Sequence, residues 1–458
     1  MHSYLSIWDI VLTPVFFLLI TFFALRYRNK HYKANHPLRP FFLLGLYAKF
    51  AGAIVIALLY QFYYPGGDTV VYFDQAVVIN SAFQDSMLTW AKLIFHFSYE
   101  SNPELYKYIA QLPFYNDPSS YSVSVIAALF GTTNGTTYIP IAFLFSTLCF
   151  TGIWAMYVTF VKVFPRHYKQ LAIGFLFVPT MLIWSSAIFK DTLCIAGLGW
   201  MIYATFRLFV DKDFSFKNIL LLIVGFYLVA TIKIYILLAF LPALALWLLM
   251  TFSRRIPNVA LRYFLNLVFV GLVIGGFYIV SGQFEEQLNR YSLSSLAETS
   301  ASTRNWINYS SGFGGSAYDL GDIEPTLWGM ISKFPEAVTV TLFRPFPWES
   351  TKLIIILTSV ESILFFFGTI FLLVKKGVIA TFRKIFASPT LTFFLLFSLI
   401  FAFAVGISSY NFGALSRYKI PCLPFYASLV LVCLYEKKPA VSSVTSHSNK
   451  LKKVSSLA

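Results

Sequence analysis

Residues 138–161 read YIPIAFLFSTLCFTGIWAMYVTFV, an apolar stretch without a single charged side chain. About 20 such residues in a helix cover the ~30 Å hydrocarbon core of a bilayer. The run ends at Lys162, and Arg166 and Lys169 follow at once. A long apolar segment closed by a basic cluster is the mark of a membrane span whose end faces the cytoplasm. The same pattern recurs along the chain, so this stretch decides the fold class.

Working outward, we expect eleven spans, at roughly 9–26, 42–63, 138–161, 171–187, 191–209, 218–232, 234–252, 263–281, 352–374, 390–408 and 420–435. The sixth and seventh are separated only by Lys233, as a tight hairpin or one broken helix. Composition agrees: 58% of the 458 residues are hydrophobic and 12% charged, against about 25% charged in soluble domains. The 50 Phe suit lipid-facing surface, and the 28 Tyr and 9 Trp suit its edges. The first apolar run lacks a basic leader and a small-residue cleavage site, so it reads as an anchor.

Orientation follows from Lys and Arg. With the N-terminus outside, 23 of the 35 basic residues fall in the cytoplasmic segments and tail, and 16 of the 20 acids fall outside. Topology thus accounts for the net charge of +15, and nucleic-acid binding is rejected. Lys49 is expected near the cytoplasmic end of its span, where it can snorkel. The four cysteines, Cys149, Cys194, Cys422 and Cys433, lie in or beside apolar segments without metal-ligand spacing, and the six histidines show no zinc spacing.

The reading is therefore an all-α polytopic protein with a single transmembrane domain, 1–436, and a disordered basic cytoplasmic tail, 437–458. Two outer loops are long, 64–137 and 282–351. The first carries an amphipathic stretch from Ser81 to Ser98. The second runs through a Gly/Ser-rich region around Ser311, which has no evident histidine partner for a serine protease. It then turns apolar at Phe334 to Phe343. Both apolar stretches read as helices lying on the membrane surface. The cytoplasmic loops are too short for a nucleotide-binding domain.

Four outer constellations could carry chemistry. Gly66-Gly67-Asp68, followed by Asp74, places an acid at fixed depth where the chain leaves the bilayer; a turn with a helix N-cap is the competing explanation. Lys190-Asp191 sits in a very short connection, as a phosphate ligand with its orienting acid or as a mutually neutralising pair. Arg344-Pro345-Phe346-Pro347-Trp348-Glu349 displays an arginine suited to phosphate; a snorkelling arginine in an aromatic belt explains it as well. Arg417 and Lys419, before Pro421 and Pro424, put positive charge on the face that usually lacks it. Glu361 is the one acid clearly inside a span, with Arg417 or Lys233 as partner. Arg304 is a weaker candidate.

An early outer acid (Asp68, then Asp74), a surface helix in the same loop, many spans and Arg417 ahead of Pro421 and Pro424 together resemble the GT-C superfamily of integral membrane glycosyltransferases. The resemblance implies a polyprenyl-phosphate-linked sugar or glycan as donor. It also implies an early acid as general base or metal ligand, with Asp68 first and Asp74 second. Lys190, Arg344, Arg417 and Lys419 would bind the lipid phosphate, supported by Asp191, Glu349 and Glu361. A divalent cation is the one cofactor the carboxylates admit, with no metal site defined. The large loop here follows the second helix rather than the first, which brings outer-face polysaccharide polymerases close as well; Arg304 and Arg344 would fit their basic loops. The same residues leave open a transporter or flippase, or a non-enzymatic assembly subunit. A bacterial inner membrane is the expected location.

Overall fold

A computed structural model describes residues 4–64, 66–98, 100–253, 258, 261, 271, 318–321, 327–349 and 352–435. The expected span 263–281 apart from residue 271, Arg304, the Gly/Ser-rich stretch around Ser311 and the tail 437–458 lie outside the described residues. The helices, in order, are α1 (Ile7–His31), α2 (Arg39–Phe62), α3 (Asp68–Ser81), α4 (Met87–Ile94), α5 (Tyr106–Ile109), α6 (Pro118–Gly131), α7 (Tyr138–Val163), α8 (Tyr168–Leu176) and α9 (Pro179–Trp184). They continue as α10 (Lys190–Thr205), α11 (Phe216–Ser253), α12 (Leu327–Ser332), α13 (Phe334–Phe343), α14 (Leu353–Lys376), α15 (Val378–Phe386), α16 (Pro389–Ser409), α17 (Phe412–Tyr418) and α18 (Leu423–Leu434).

Among the described residues seven helices are long and apolar enough to cross a membrane, or eight if α17 and α18, bent by 71°, form one span. This is the architecture of a multi-pass membrane protein, with fewer uninterrupted spans than the eleven expected. The physical reasons differ by segment. Stretch 171–187 is two short helices because Pro179 begins α9 and removes an amide the preceding turn would need. Stretch 420–435 becomes helical only at Leu423, behind the bend.

Residues 218–252 form one helical run whose backbone departs from helical angles only at Lys233 (φ −146°, ψ 74°). A straight helix of 38 residues would be about 57 Å long. Yet both of its ends lie beside the end of α10: Asn218 donates to the Asp213 carbonyl, and Trp247 stacks on Phe206. Its middle, Lys233, touches Asp191 at the start of α10. The run therefore doubles back at Lys233, as a hairpin with almost no loop.

Small residues let these helices approach. A Cβ on Gly199 would stand 2.0 Å from the Gly152 carbonyl oxygen, so α7 and α10 meet backbone to backbone. At one end of the bundle Lys162 binds Asp211 at 2.9 Å, His167 Nε2 lies 2.8 Å from the Tyr435 carbonyl, and Trp247 Nε1 donates to Thr390 at 3.0 Å. We call this the basic end. The other end carries Asp68, Lys190 and Arg417.

Three further expectations are corrected. Lys49 does not snorkel: it is buried, and its ammonium donates to the Ser185 carbonyl at 2.8 Å and hydroxyl at 2.5 Å. Ser81–Ser98 is not one helix, because the chain turns at Asp85 and Ser86 before Ser86 caps α4 through the Leu88 amide. Nor does Phe334–Phe343 lie on the surface. It packs along α16, where Thr341 donates to the Ala402 carbonyl at 2.7 Å.

Candidate functional site

Gly66 and Gly67 have φ of 127° and 151°, conformations that favour glycine. Their turn delivers Asp68 as the first residue of α3. Asp68 makes no cap to its helix. Its carboxylate instead accepts a bond from Arg417 Nη1 at 2.6 Å through Oδ2, across 349 residues of chain. Arg417 Nε donates to Asp191 Oδ2 at 2.6 Å, and the Lys233 ammonium pairs with Asp191 Oδ1. A continuous line thus runs from Asp68, 49% exposed, through Arg417 to a fully buried Asp191.

Each member sits where its backbone favours it. Asp191 lies in the first turn of α10 and Arg417 in the last turn of α17, matching the helix dipoles. Lys233 sits at the hairpin tip. Aromatic faces complete the cations' surroundings: Arg417 lies 4.6 Å from the Phe189 ring centre, and Lys233 4.9 Å from that of Tyr418.

Lys190 belongs to the same neighbourhood but not to Asp191, because consecutive helical residues point about 100° apart. Its ammonium donates to the Ser119 hydroxyl at 2.8 Å and lies 3.7 Å from Asp117. Asp117 also caps α6, ahead of Pro118. Partial burial opposes ionisation of Asp117, but Ser120, Ser119 and Lys190 together hold it below the usual carboxylate range. Burial, followed by the Asp68 charge, pushes the Tyr72 phenol up.

Four predicted residues therefore converge: Asp68, Lys190, Asp191 and Arg417. Asp74 is not part of the bonds described for this line. It lies six residues along α3, about 120° around the helix from Asp68, and is exposed. Arg344, Glu349, Glu361 and Lys419 form a second group. Arg344 Nε donates to Glu349 at 2.9 Å, and its guanidinium lies over Phe412. Lys419 is wholly buried, donating to the Arg344 carbonyl at 3.1 Å and the Ser362 hydroxyl at 3.0 Å. That burial removes it as a direct phosphate ligand. Glu361 accepts the Thr180 amide at 2.8 Å, and its cationic neighbour is Lys419 rather than Arg417 or Lys233.

Sequence reasoning missed Asp117 and Ser119, whose Asp-Pro-Ser run reads as an ordinary helix start. Lys233 was legible as a lone charge between apolar runs and stood with Arg417 as one of two alternative partners for Glu361, whereas it pairs with Asp191. Among the described residues, no group of three or more His, Cys, Asp or Glu side chains comes together as metal ligands. Compared with known proteins, the chain matches no family model, no curated protein and no solved structure.

Proposed function

We propose that this protein transfers a sugar from a polyprenyl-phosphate-linked donor to a glycan, lipid or protein acceptor at the outer face of a membrane, with its N-terminus outside and its C-terminus cytoplasmic. The observation that supports this reading is the half-exposed Asp68 carboxylate, held through one oxygen by Arg417 and backed by the buried Asp191–Lys233 pair. In the proposed step an acceptor hydroxyl oxygen attacks the anomeric carbon and the carbon–oxygen bond to phosphate breaks. Asp68 takes the hydroxyl proton. The lipid phosphate leaves with the bonding electron pair, its charge met by Lys190 and Arg417. Asp191 and Lys233 are positioning residues that fix Arg417.

The test uses membranes containing the full-length protein or Asp68→Asn, with folding checked by size exclusion. Loss of surface glycan and accumulation of a lipid-linked precursor in the variant supports the transferase. Normal glycan and no precursor refutes it. One observation favours a second reading, transport of a lipid-linked or small solute: α11 and the α17–α18 pair are both broken, with Lys233 and Lys419 buried at the breaks. Unchanged glycan with altered solute uptake in Lys233→Met would favour it.

A further inference from the structure

At the basic end, α14 and α16 are joined by α15 with only Gly377 on one side and Ala387–Ser388 on the other. Gly377, at φ 80°, turns the chain sharply out of α14. Both neighbours qualify as membrane spans, so α15 is held at the membrane boundary and cannot leave it.

Its sequence, VIATFRKIF, has two working sectors at about 100° per residue. Thr381 and Ile385 are buried against the bundle. The apolar sector continues past them through Val378, Phe382 and Ile379, which are 53%, 42% and 77% exposed. Phe386 is 54% exposed as well, so of the five large apolar residues only Ile385 is covered by protein. Lys384 on the opposite flank reaches the Val432 and Cys433 carbonyls at 3.3 and 3.4 Å and ties the helix to the end of α18. Arg383 is exposed beside the apolar sector, and Lys375, in the last turn of α14, is exposed with its ammonium 5.1 Å from the Phe371 ring centre. No acidic residue occurs in the chain between Glu361 and Glu436.

We propose that α15 is a membrane-surface helix whose uncovered apolar face sits in the bilayer and whose Arg383, with Lys375, binds the phosphate headgroup of anionic phospholipids. The occupant follows from position and charge: both flanking helices are spans, and the polar rim is wholly basic. Each basic side chain near an anionic surface contributes about fivefold in affinity. This proposal is independent of the transferase reading, since none of these residues belongs to the Asp68 site.

Two measurements on the full-length protein test it. First, native mass spectrometry after extraction from vesicles of about 30% phosphatidylglycerol and about 70% phosphatidylcholine reads retained anionic lipid. Lys375→Gln with Arg383→Gln should reduce retention about 25-fold with thermal stability unchanged. Equal retention in variant and wild type overturns headgroup binding. Second, Ile379→Cys carrying an environment-sensitive fluorophore, the four native cysteines being buried, should give a blue-shifted emission quenched by nitroxide-bearing phosphatidylcholine. Solvent-like, unquenched emission overturns the surface placement, as does cross-linking through this face to a second copy.

Discussion

Replacing Asp191 by Asn should damage the fold far more than replacing its partner Lys233 by Met. The Asp191 side chain is fully buried, and its two oxygens are bound by Lys233 and Arg417, whose side chains are only 7% and 13% exposed. Asn at 191 leaves two cations facing a neutral amide, and breaking a buried pair in this way costs about 3–5 kcal/mol. Met at 233 leaves Asp191 still bound by Arg417 at 2.6 Å. It removes one charge-assisted hydrogen bond, worth about 1.5–3 kcal/mol. In the double variant one cation faces the amide instead of two. Its cost should fall short of the sum of the single costs by about 1–3 kcal/mol. Equilibrium unfolding in mixed detergent micelles measures all three. Lys233→Met as damaging as Asp191→Asn, or strict additivity in the double variant, would refute the account of Asp191 as the shared counter-charge.

Asp68→Asn should change stability by less than about 1 kcal/mol, because Asp68 is half exposed and Arg417 keeps its bond to Asp191, while the proposed sugar transfer is lost; a matching loss of folding would remove Asp68 from the chemistry. Gly67→Ala places a Cβ 2.4 Å from the Tyr60 ring at a φ of 151°, so activity should fall while the Asp191–Lys233 coupling persists. Gly199→Ala forces α7 and α10 apart and should cost about 3 kcal/mol in the same unfolding assay. Asp117 is held below its ordinary range in the folded state, so its contribution is full above that range and lost as pH falls through the lowered value. Asp117→Asn should flatten that acid limb of a thermal stability profile.

The apolar runs were readable because a bilayer demands length and composition before any tertiary contact forms. Asp68, Lys190, Asp191 and Arg417 were readable for a related reason: charge at a span end needs an explanation. Who pairs with whom was not. Asp191 is adjacent to Lys190 in sequence yet binds Lys233 and Arg417, since helical geometry turns neighbours apart. Lys419 and Arg417 are two residues apart and end in different groups for the same reason. Lys49 resembles a snorkelling residue until α9 breaks and presents the Ser185 carbonyl to it. The nine residues of α15 hide among the basic residues that mark a cytoplasmic loop, although apolar residues at 378, 379, 382, 385 and 386 carry the helical period.

The reversal at Lys233 bears on how the chain enters the membrane. Its two arms are joined without a loop, so in the proposed orientation, with the N-terminus outside, the ammonium rides at the leading tip and must traverse hydrocarbon as the hairpin inserts, at a cost of several kcal/mol if unaccompanied. Asp191 is synthesised one helix earlier and already waits at the far side. Translation order thus supplies the anion before the cation, and α10 serves as the receiving post for the helical hairpin that follows it.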